Sequence, residues 1–405
     1  MRISTAGIFD ASINQMNSLQ GQMAKTQMQL STQKRLLTPS DDPVASARAL
    51  EVTQSQAMNE QFATNRTNAR NSLAQEDGAL SNVANLLTNV KTLVVRAGNP
   101  ALSPADRNSL ATELEGRLTD LIGLANTTDG SGTYLFSGYE VKTAPFTQTA
   151  TGATYNGDQG ERELKIGPSR MVSISDSGSA IFENNVAAKG TFKAGAAAGN
   201  SGGATLDSSI ILDRSQLTGH DYAVKFSVTG AGTTYDVIDN SQSPAATVKS
   251  AQPYVDGDPI VFDGLQLTVK GAPADGDQFD VNAIKKQSVF TTLQDLVQTL
   301  RTPVSGTNGQ TALANALAVA NDNVTTAMDT ALTVQSSVGV RLQELDTLDT
   351  AGDQLDLQYA STLSDLQDLD VVKAISMFSQ QQQALDAAQK SFKVMSGLSL
   401  FNYIG

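Results

Sequence analysis

A chain of 405 residues without cysteine is long enough for two or three domains, but it can hold no disulfide, thiolate metal site or cysteine nucleophile. A formal net charge of −13 and a single histidine argue against nucleic acid and anionic membrane surfaces as partners and leave any Ser-His-Asp arrangement to His220 alone. No apolar run approaches the ~20 residues that cross a bilayer, and the N-terminus lacks the apolar stretch of a cleavable secretory signal, so any export takes another route.

The first element is a helix over Ile3 to Leu37. Phe9, Ile13, Met16, Gln20, Met23, Gln27 and Leu30 follow one another in steps of four and three, a heptad seam with glutamine at two positions. Thr38-Pro39-Ser40-Asp41-Asp42-Pro43 then reads as a junction: proline disfavours a helical residue before it, and Asp42 followed by Pro43 is an N-cap with proline at the first helical position. A metal or phosphate site at Ser40 to Asp42 is the costlier reading. Leu73, Leu80, Val83, Leu87, Val90, Val94 and Ala97 line the next helical stretch, which stops at Gly98-Asn99-Pro100. Whether one helix or two fill residues 43 to 97 stays open. Ser103-Pro104-Ala105-Asp106 caps a third helix whose apolar face is Leu110, Leu114, Leu118, Leu121 and Ala125.

Residues 130 to 290 hold 20 of the 32 glycines and 14 of the 21 aromatic residues, which marks a change from helix to short strands and turns. Strands are expected around Val224 to Val228, Tyr235 to Ile238, Ile260 to Phe262 and Leu265 to Val269, with Asp263-Gly264 as a hairpin turn. Ala187 to Gly203 reads as a flexible loop. Asp256-Gly257-Asp258 and Asp275-Gly276-Asp277 lack the spaced ligands of a calcium loop and read as turns; no metal or cofactor is expected.

Helical period returns at Phe290, Leu293, Leu296, Val297 and Leu300, stops at Thr302-Pro303, and is followed by a polar linker, Ser305 to Gly309. From Thr311 to Gly397 there is no proline, and an uninterrupted helix of ~85 residues would be on the order of 130 Å long. Its last part carries Val371, Ile375, Phe378, Gln382, Leu385, Ala388, Phe392 and Met395 in steps of three and four. The fold class expected is α+β: a long antiparallel helical bundle or coiled-coil rod from the N- and C-terminal segments, with an inserted antiparallel β domain. The segments are 1–40 (assembly helix), 41–129 (rod), 130–287 (β-rich outer domain), 288–364 (rod) and 365–405 (assembly helix). The glutamines in the terminal seams favour packing between molecules there over an ordinary intramolecular core.

The opening Met1-Arg2-Ile3-Ser4-Thr5, the Pro39 to Pro43 junction, Tyr134-Leu135-Phe136-Ser137-Gly138, Val338-Gly339-Val340-Arg341-Leu342 and the ending Leu398-Ser399-Leu400-Phe401-Asn402-Tyr403-Ile404 together resemble the flagellar hook-associated protein 3 family. The resemblance implies a secreted structural subunit of the bacterial flagellum that forms a ring joining the hook, through hook-associated protein 1, to flagellin. It implies passage through the flagellar export apparatus with an export chaperone, and terminal segments largely disordered in the free subunit. Assembly would then rest on Phe9, Ile13, Met16, Met23, Leu30, Val371, Ile375, Phe378, Leu385, Phe392, Met395, Leu398, Leu400, Phe401 and Ile404, with Pro39, Ser40, Asp41, Asp42 and Pro43 at the helix junction. Flagellin itself is the alternative, against which stand the Thr38 to Pro43 junction and the Phe401 to Ile404 ending. An unrelated coiled-coil adhesin would carry a signal or anchor, and an enzyme finds little in this inventory.

Overall fold

The computed structural model describes residues 5–304 and 306–397, without the side chains of 5, 6, 8, 307, 308, 396 and 397. The fold is α+β, with long helices at both ends of the sequence and antiparallel sheets in the middle. The helices are α1 (Thr5–Thr32), α2 (Pro43–Ala97), α3 (Pro104–Ala125), α4 (Val289–Arg301), α5 (Gly306–Gln367) and α6 (Val371–Gly397). The chain divides into two compact units, Met1–Asn65 with Asp346–Gly405 and Arg66–Leu345.

Local chemistry sets the helix ends. Asp42 caps α2, its Oδ1 accepting from Ala45 N at 3.0 Å, and Pro43 opens the helix, which then runs unbroken as one element to Ala97. Ser103 and Asp106 form the reciprocal capping box of α3. The proline-free C-terminal stretch is two helices and not one, because Asp370 caps α6 (Lys373 N to Oδ1, 3.0 Å) and Asp368 is taken into a short antiparallel bridge with Lys34. Gly306 to Gly309, expected as linker, belong to the first turn of α5.

In the unit Arg66–Leu345 the helical core is made by Leu73, Leu80, Leu87 and Val90 of α2, Leu114, Leu118 and Leu121 of α3, and Phe290, Leu293 and Val297 of α4, all essentially inaccessible to water. Phe136, Phe146 and Phe182 extend it, Phe146 lying 4.8 Å from Phe290 between ring centroids. Gly138, which ends the Tyr134 to Gly138 run, has φ +72°, and a Cβ there would collide with the Asp158 carboxylate. That carboxylate accepts from the backbone of Tyr139, Glu140 and Gly160, so the glycine lets a loop close on a side-chain anchor.

The strands are β1 (Phe146–Thr149), β2 (Gly152–Tyr155), β3 (Glu163–Lys165), β4 (Met171–Ser173), β5 (Asn185–Val186), β6 (Phe192–Ala196), β7 (Thr205–Ile211), β8 (Tyr222–Thr229), β9 (Gly232–Asp239), β10 (Ala246–Pro253), β11 (Pro259–Phe262), β12 (Leu265–Lys270), β13 (Gln278–Ala283) and β14 (Lys286–Gln287). A five-stranded sheet runs β10-β9-β8-β13-β6 and a three-stranded one β11-β12-β7. Their shared core includes Val224, Phe226, Val237, Leu267, Phe279 and Val281, with Val319 of α5 packed in. The β11–β12 hairpin turns at Asp263 (φ 39°) and Gly264 (φ 79°), the two positive φ values a type I′ turn requires. The stretch Ala187 to Gly203, expected as a flexible loop, instead holds β6, paired with β13 from Phe192↔Ala283 to Ala196↔Phe279. Its alternating Phe192-Lys193-Ala194 gave too short a signal against the glycines around it.

Candidate assembly interface

Within the unit formed by the two chain ends, α1 and α6 lie antiparallel. Phe9 meets Phe392 edge to face at 4.8 Å, the Thr26 hydroxyl sits 3.0 Å from Gln381 Oε1, and at the far end Arg35 N donates to Gln367 O (2.7 Å) while Leu369 N donates to Gln33 O (3.0 Å). Burial along α1 falls on Phe9, Ser12, Met16, Leu19, Met23, Thr26 and Leu30, and along α6 on Ala374, Phe378, Gln381, Leu385, Ala388, Phe392 and Met395. Both sets keep the three-and-four alternation of a heptad.

This seam shares one position in each heptad with the expected one, Phe9, Met16, Met23 and Leu30, and is rotated at the other. Gln20 and Gln27 point to water, as does Ile13, 40% exposed. On α6 the predicted Phe378, Leu385, Ala388, Phe392 and Met395 are in the seam. Val371 and Ile375 are outside it, Ile375 being 55% exposed, and Gln382 is outside as well. Leu398, Leu400, Phe401 and Ile404 lie outside the described residues. The two ends could pair within one molecule or between neighbours, the second being favoured; in this chain α1 and α6 close on each other, with the small side chains of Ser12, Thr26, Ala374 and Ala388 in the seam.

The pairing is thin. In the described parts of α1 and α6 only Thr26, Ala374 and Leu385 are buried, while Met28, Val372, Met377 and Val394 join Ile13, Val371 and Ile375 as large apolar side chains open to solvent. Helices with so little packing are marginal on their own.

The junction residues hold this pair at its base. Asp41 Oδ1 takes the Lys25 ammonium at 2.6 Å and Oδ2 accepts from Leu37 N and Thr38 N, each at 3.0 Å. The Lys25 contact first, and then the two amides, hold the Asp41 carboxyl down at about 2. Thr38 and Ser40 hydroxyls are 2.8 Å apart, and Pro39 and Pro43 bracket the turn. Asp41 is thus occupied by Lys25 and two amides, and Asp42 by the Ala45 amide and, at 3.6 Å, the Arg35 guanidinium. Arg35 also donates from Nη2 to Leu366 O at 2.7 Å. The α1–α2 and α5–α6 breaks are therefore stitched side by side.

Other candidate chemistry resolves into turn and loop structure. His220 Nδ1 is 2.8 Å from Asp239 Oδ2. Asp277 accepts from the backbone of Ser201, Gly202 and Ala274, and Asp256 from Gly271 N. Among the described residues no group of acidic, histidine or cysteine side chains could hold a metal ion, and no helix is long and apolar enough to cross a membrane.

Residues 3–141 match the family model described as bacterial flagellin N-terminal helical region, and residues 196–283 match flagellar hook-associated protein 1, D2-like domain. Over 99% of this chain and 99% of theirs, it is 30% identical to flagellar hook-associated protein 3 of Escherichia coli (strain K12) and 29% identical to that of Salmonella typhimurium. The crystal structure of Xanthomonas campestris FlgL in space group C2 aligns at TM-score 0.55 and 31% identity, covering 77% of this chain and 99% of that one. The flagellar junction protein FlgL from Legionella pneumophila aligns at TM-score 0.55 and 29% identity, covering 79% and 100%. With similarity running the length of both chains and over both terminal helices, the chain belongs to the flagellar hook-associated protein 3 family.

Proposed function

We propose that this chain is a non-enzymatic structural subunit of the bacterial flagellum, exported to the cell exterior. It forms a ring that joins the hook, through hook-associated protein 1, to the flagellin filament, after delivery by an export chaperone to the flagellar export apparatus. The observation that carries this reading is the terminal pair α1–α6, closed on itself along one seam yet presenting Ile13, Val371, Ile375 and Val394 to solvent. Packing these side chains against neighbouring subunits removes them from water, which favours assembly by roughly 25 cal/mol per Å² buried. The full-length similarity to hook-associated protein 3 supports it, and the match of residues 196–283 to a hook-associated protein 1 domain favours a junction component over a filament subunit.

Electron microscopy of cells lacking the gene, combined with an assay for flagellin in the medium, tests the reading. Bare hooks with flagellin shed outside are the expected result. Intact filaments would overturn the junction role, and bare hooks with no flagellin in the medium would transfer the reading to flagellin.

A further inference from the structure

In the unit Arg66–Leu345, residues 162–176 form a strap that joins α2 to α5. Its body is the β3–β4 hairpin, closed by Ile166 N donating to Arg170 O at 2.9 Å and Ile174 N donating to Arg162 O at 2.7 Å. Of its hydrophobic side chains only Ile166 and Val172 are buried, and Met171 is 51% exposed. A two-stranded hairpin with so small a core is marginal by itself, so its polar contacts decide whether it stays down.

Those contacts come from both helices. Arg66 of α2 donates from Nη1 to Ile166 O at 3.2 Å, and Arg170 of the strap donates from Nη2 to Glu344 Oε2 of α5 at 2.8 Å. Arg341, which belongs to the Val338 to Leu342 run, donates from Nη1 to Ser173 O at 3.2 Å and from Nη2 to both Asp176 oxygens, at 2.9 and 2.7 Å. The backbone N of Asp176 donates to Glu76 Oε1 of α2 at 3.0 Å. One residue of the strap is therefore held by α2 and α5 at once. Glu76 is 1% exposed, and its Oε2 is buried without a hydrogen-bond partner. The charged groups that face it are Asp176 from the strap and Arg341 from α5; its neighbour Asp77 on α2 accepts from Gln335 Nε2 of α5 at 3.1 Å. A single guanidinium, already bound to both oxygens of Asp176, thus stands beside two carboxyl groups, and a second negative charge in this buried place has no cation of its own.

We propose that the strap is a pH-sensitive latch: protonated Glu76 holds its Asp176 end against α2 and α5, and ionised Glu76 drives that end off while the rest of the unit stays folded. Lifting Asp176 relieves both burdens on Glu76 at once, since it removes the like charge and admits water. Burial first, and Asp176 second, push Glu76 up to about 8 in the closed form, whereas in the open form it returns toward the ordinary 4.5. The closed form therefore keeps a proton that the open form gives up. Between those two values each pH unit makes opening about tenfold easier, and above the upper one the effect levels off.

Native-state hydrogen exchange on the full-length chain, corrected for the intrinsic effect of pH on exchange, tests this. The amides of Ile174 and Asp176 are expected to exchange before those of β8, which is paired on both sides by β9 and β13. Their protection should fall by about tenfold or more from about pH 6 to about pH 8 and hardly respond to small additions of urea, because a local opening exposes little surface. In Glu76→Gln, which cannot ionise, the fall with pH should vanish. Circular dichroism establishes that the variant is folded; if it is not, the pH and urea dependence of the unmodified chain decides. Protection that does not change with pH, a fall that persists in Glu76→Gln, or a fall that follows β8 in size and in urea dependence would each overturn the proposal.

Discussion

Glu76 is 1% exposed, in the middle of α2, and its environment decides its charge. Oε1 accepts from Asp176 N at 3.0 Å, and Oε2 is buried with no hydrogen-bond partner. Asp176 in turn holds Arg341 through contacts of 2.9 and 2.7 Å, and Arg341 Nη1 donates to Ser173 O at 3.2 Å. The arginine's charge is therefore largely committed to Asp176. Burial first, and the nearby Asp176 carboxylate second, push Glu76 up to about 8. Between the ordinary glutamate value near 4.5 and about 8, the unfolded chain gives up this proton and the folded chain keeps it. Stability therefore falls as pH rises through that window and levels off above it. Glu76→Gln retains a carbonyl oxygen for Asp176 N and cannot ionise. Relative to the unmodified chain it is expected to gain roughly 2–4 kcal/mol between pH 5 and pH 8, measured by urea unfolding at each pH. Two curves that stay parallel across the window would rule the explanation out.

At the scale of the elements, the terminal helices carry apolar side chains both inside and outside the α1–α6 seam, and substitution separates the two sets. Leu385 is buried in the α1–α6 seam, so Leu385→Asp places a charge against α1 without a partner. Amide protection in α1 should drop by about tenfold or more in hydrogen exchange, because the pair is thin enough to open locally. Ile375 faces water. Ile375→Asp is expected to leave that protection within about twofold while stopping incorporation into flagella. Loss of protection in both variants would mean that the two sets act as one. The distinction also shows what the sequence made legible. Phe9, Met16, Met23 and Leu30 define a heptad on inspection, but they leave its second position open between Ile13, Gln20, Gln27 and Ser12, Leu19, Thr26. The presence of one isoleucine favours the first set. Close helix approach favours the second, where small side chains at Ser12 and Thr26 flank Leu19, and this requires the partner helix to be known. Caps were easier: Asp42-Pro43 and Ser103-Pro104-Ala105-Asp106 act through neighbouring backbone amides, so their meaning is local. The break at Asp368 to Asp370 was hidden because its cause is the distant Lys34 to Arg35 segment, and β6 because its partner β13 lies some eighty residues away.

For the whole molecule, the question is how much of its stability the chain ends provide. The unit Arg66–Leu345 contains its own cores: the α2–α3–α4 cluster around Leu118 and Phe290, and the sheet cluster around Phe226 and Phe279, each with side chains wholly removed from water. The described parts of α1 and α6 bury only Thr26, Ala374 and Leu385, and burial is what most of a fold's stability is built from. Removing residues 1–30 and 370–405 should therefore leave a folded, monomeric chain. Its melting temperature should lie within about 3 °C of the full-length value, since ~1 kcal/mol shifts a chain of this size by roughly that much. Leu118→Ala in the same truncated chain supplies the contrast: a leucine with no exposed surface, it should cost about 2–5 kcal/mol and lower the melting temperature several times further. Calorimetry with light scattering reads both. If the truncated chain aggregates or melts far below the full-length one, α1 and α6 support the folded core and are not chiefly surfaces kept for assembly.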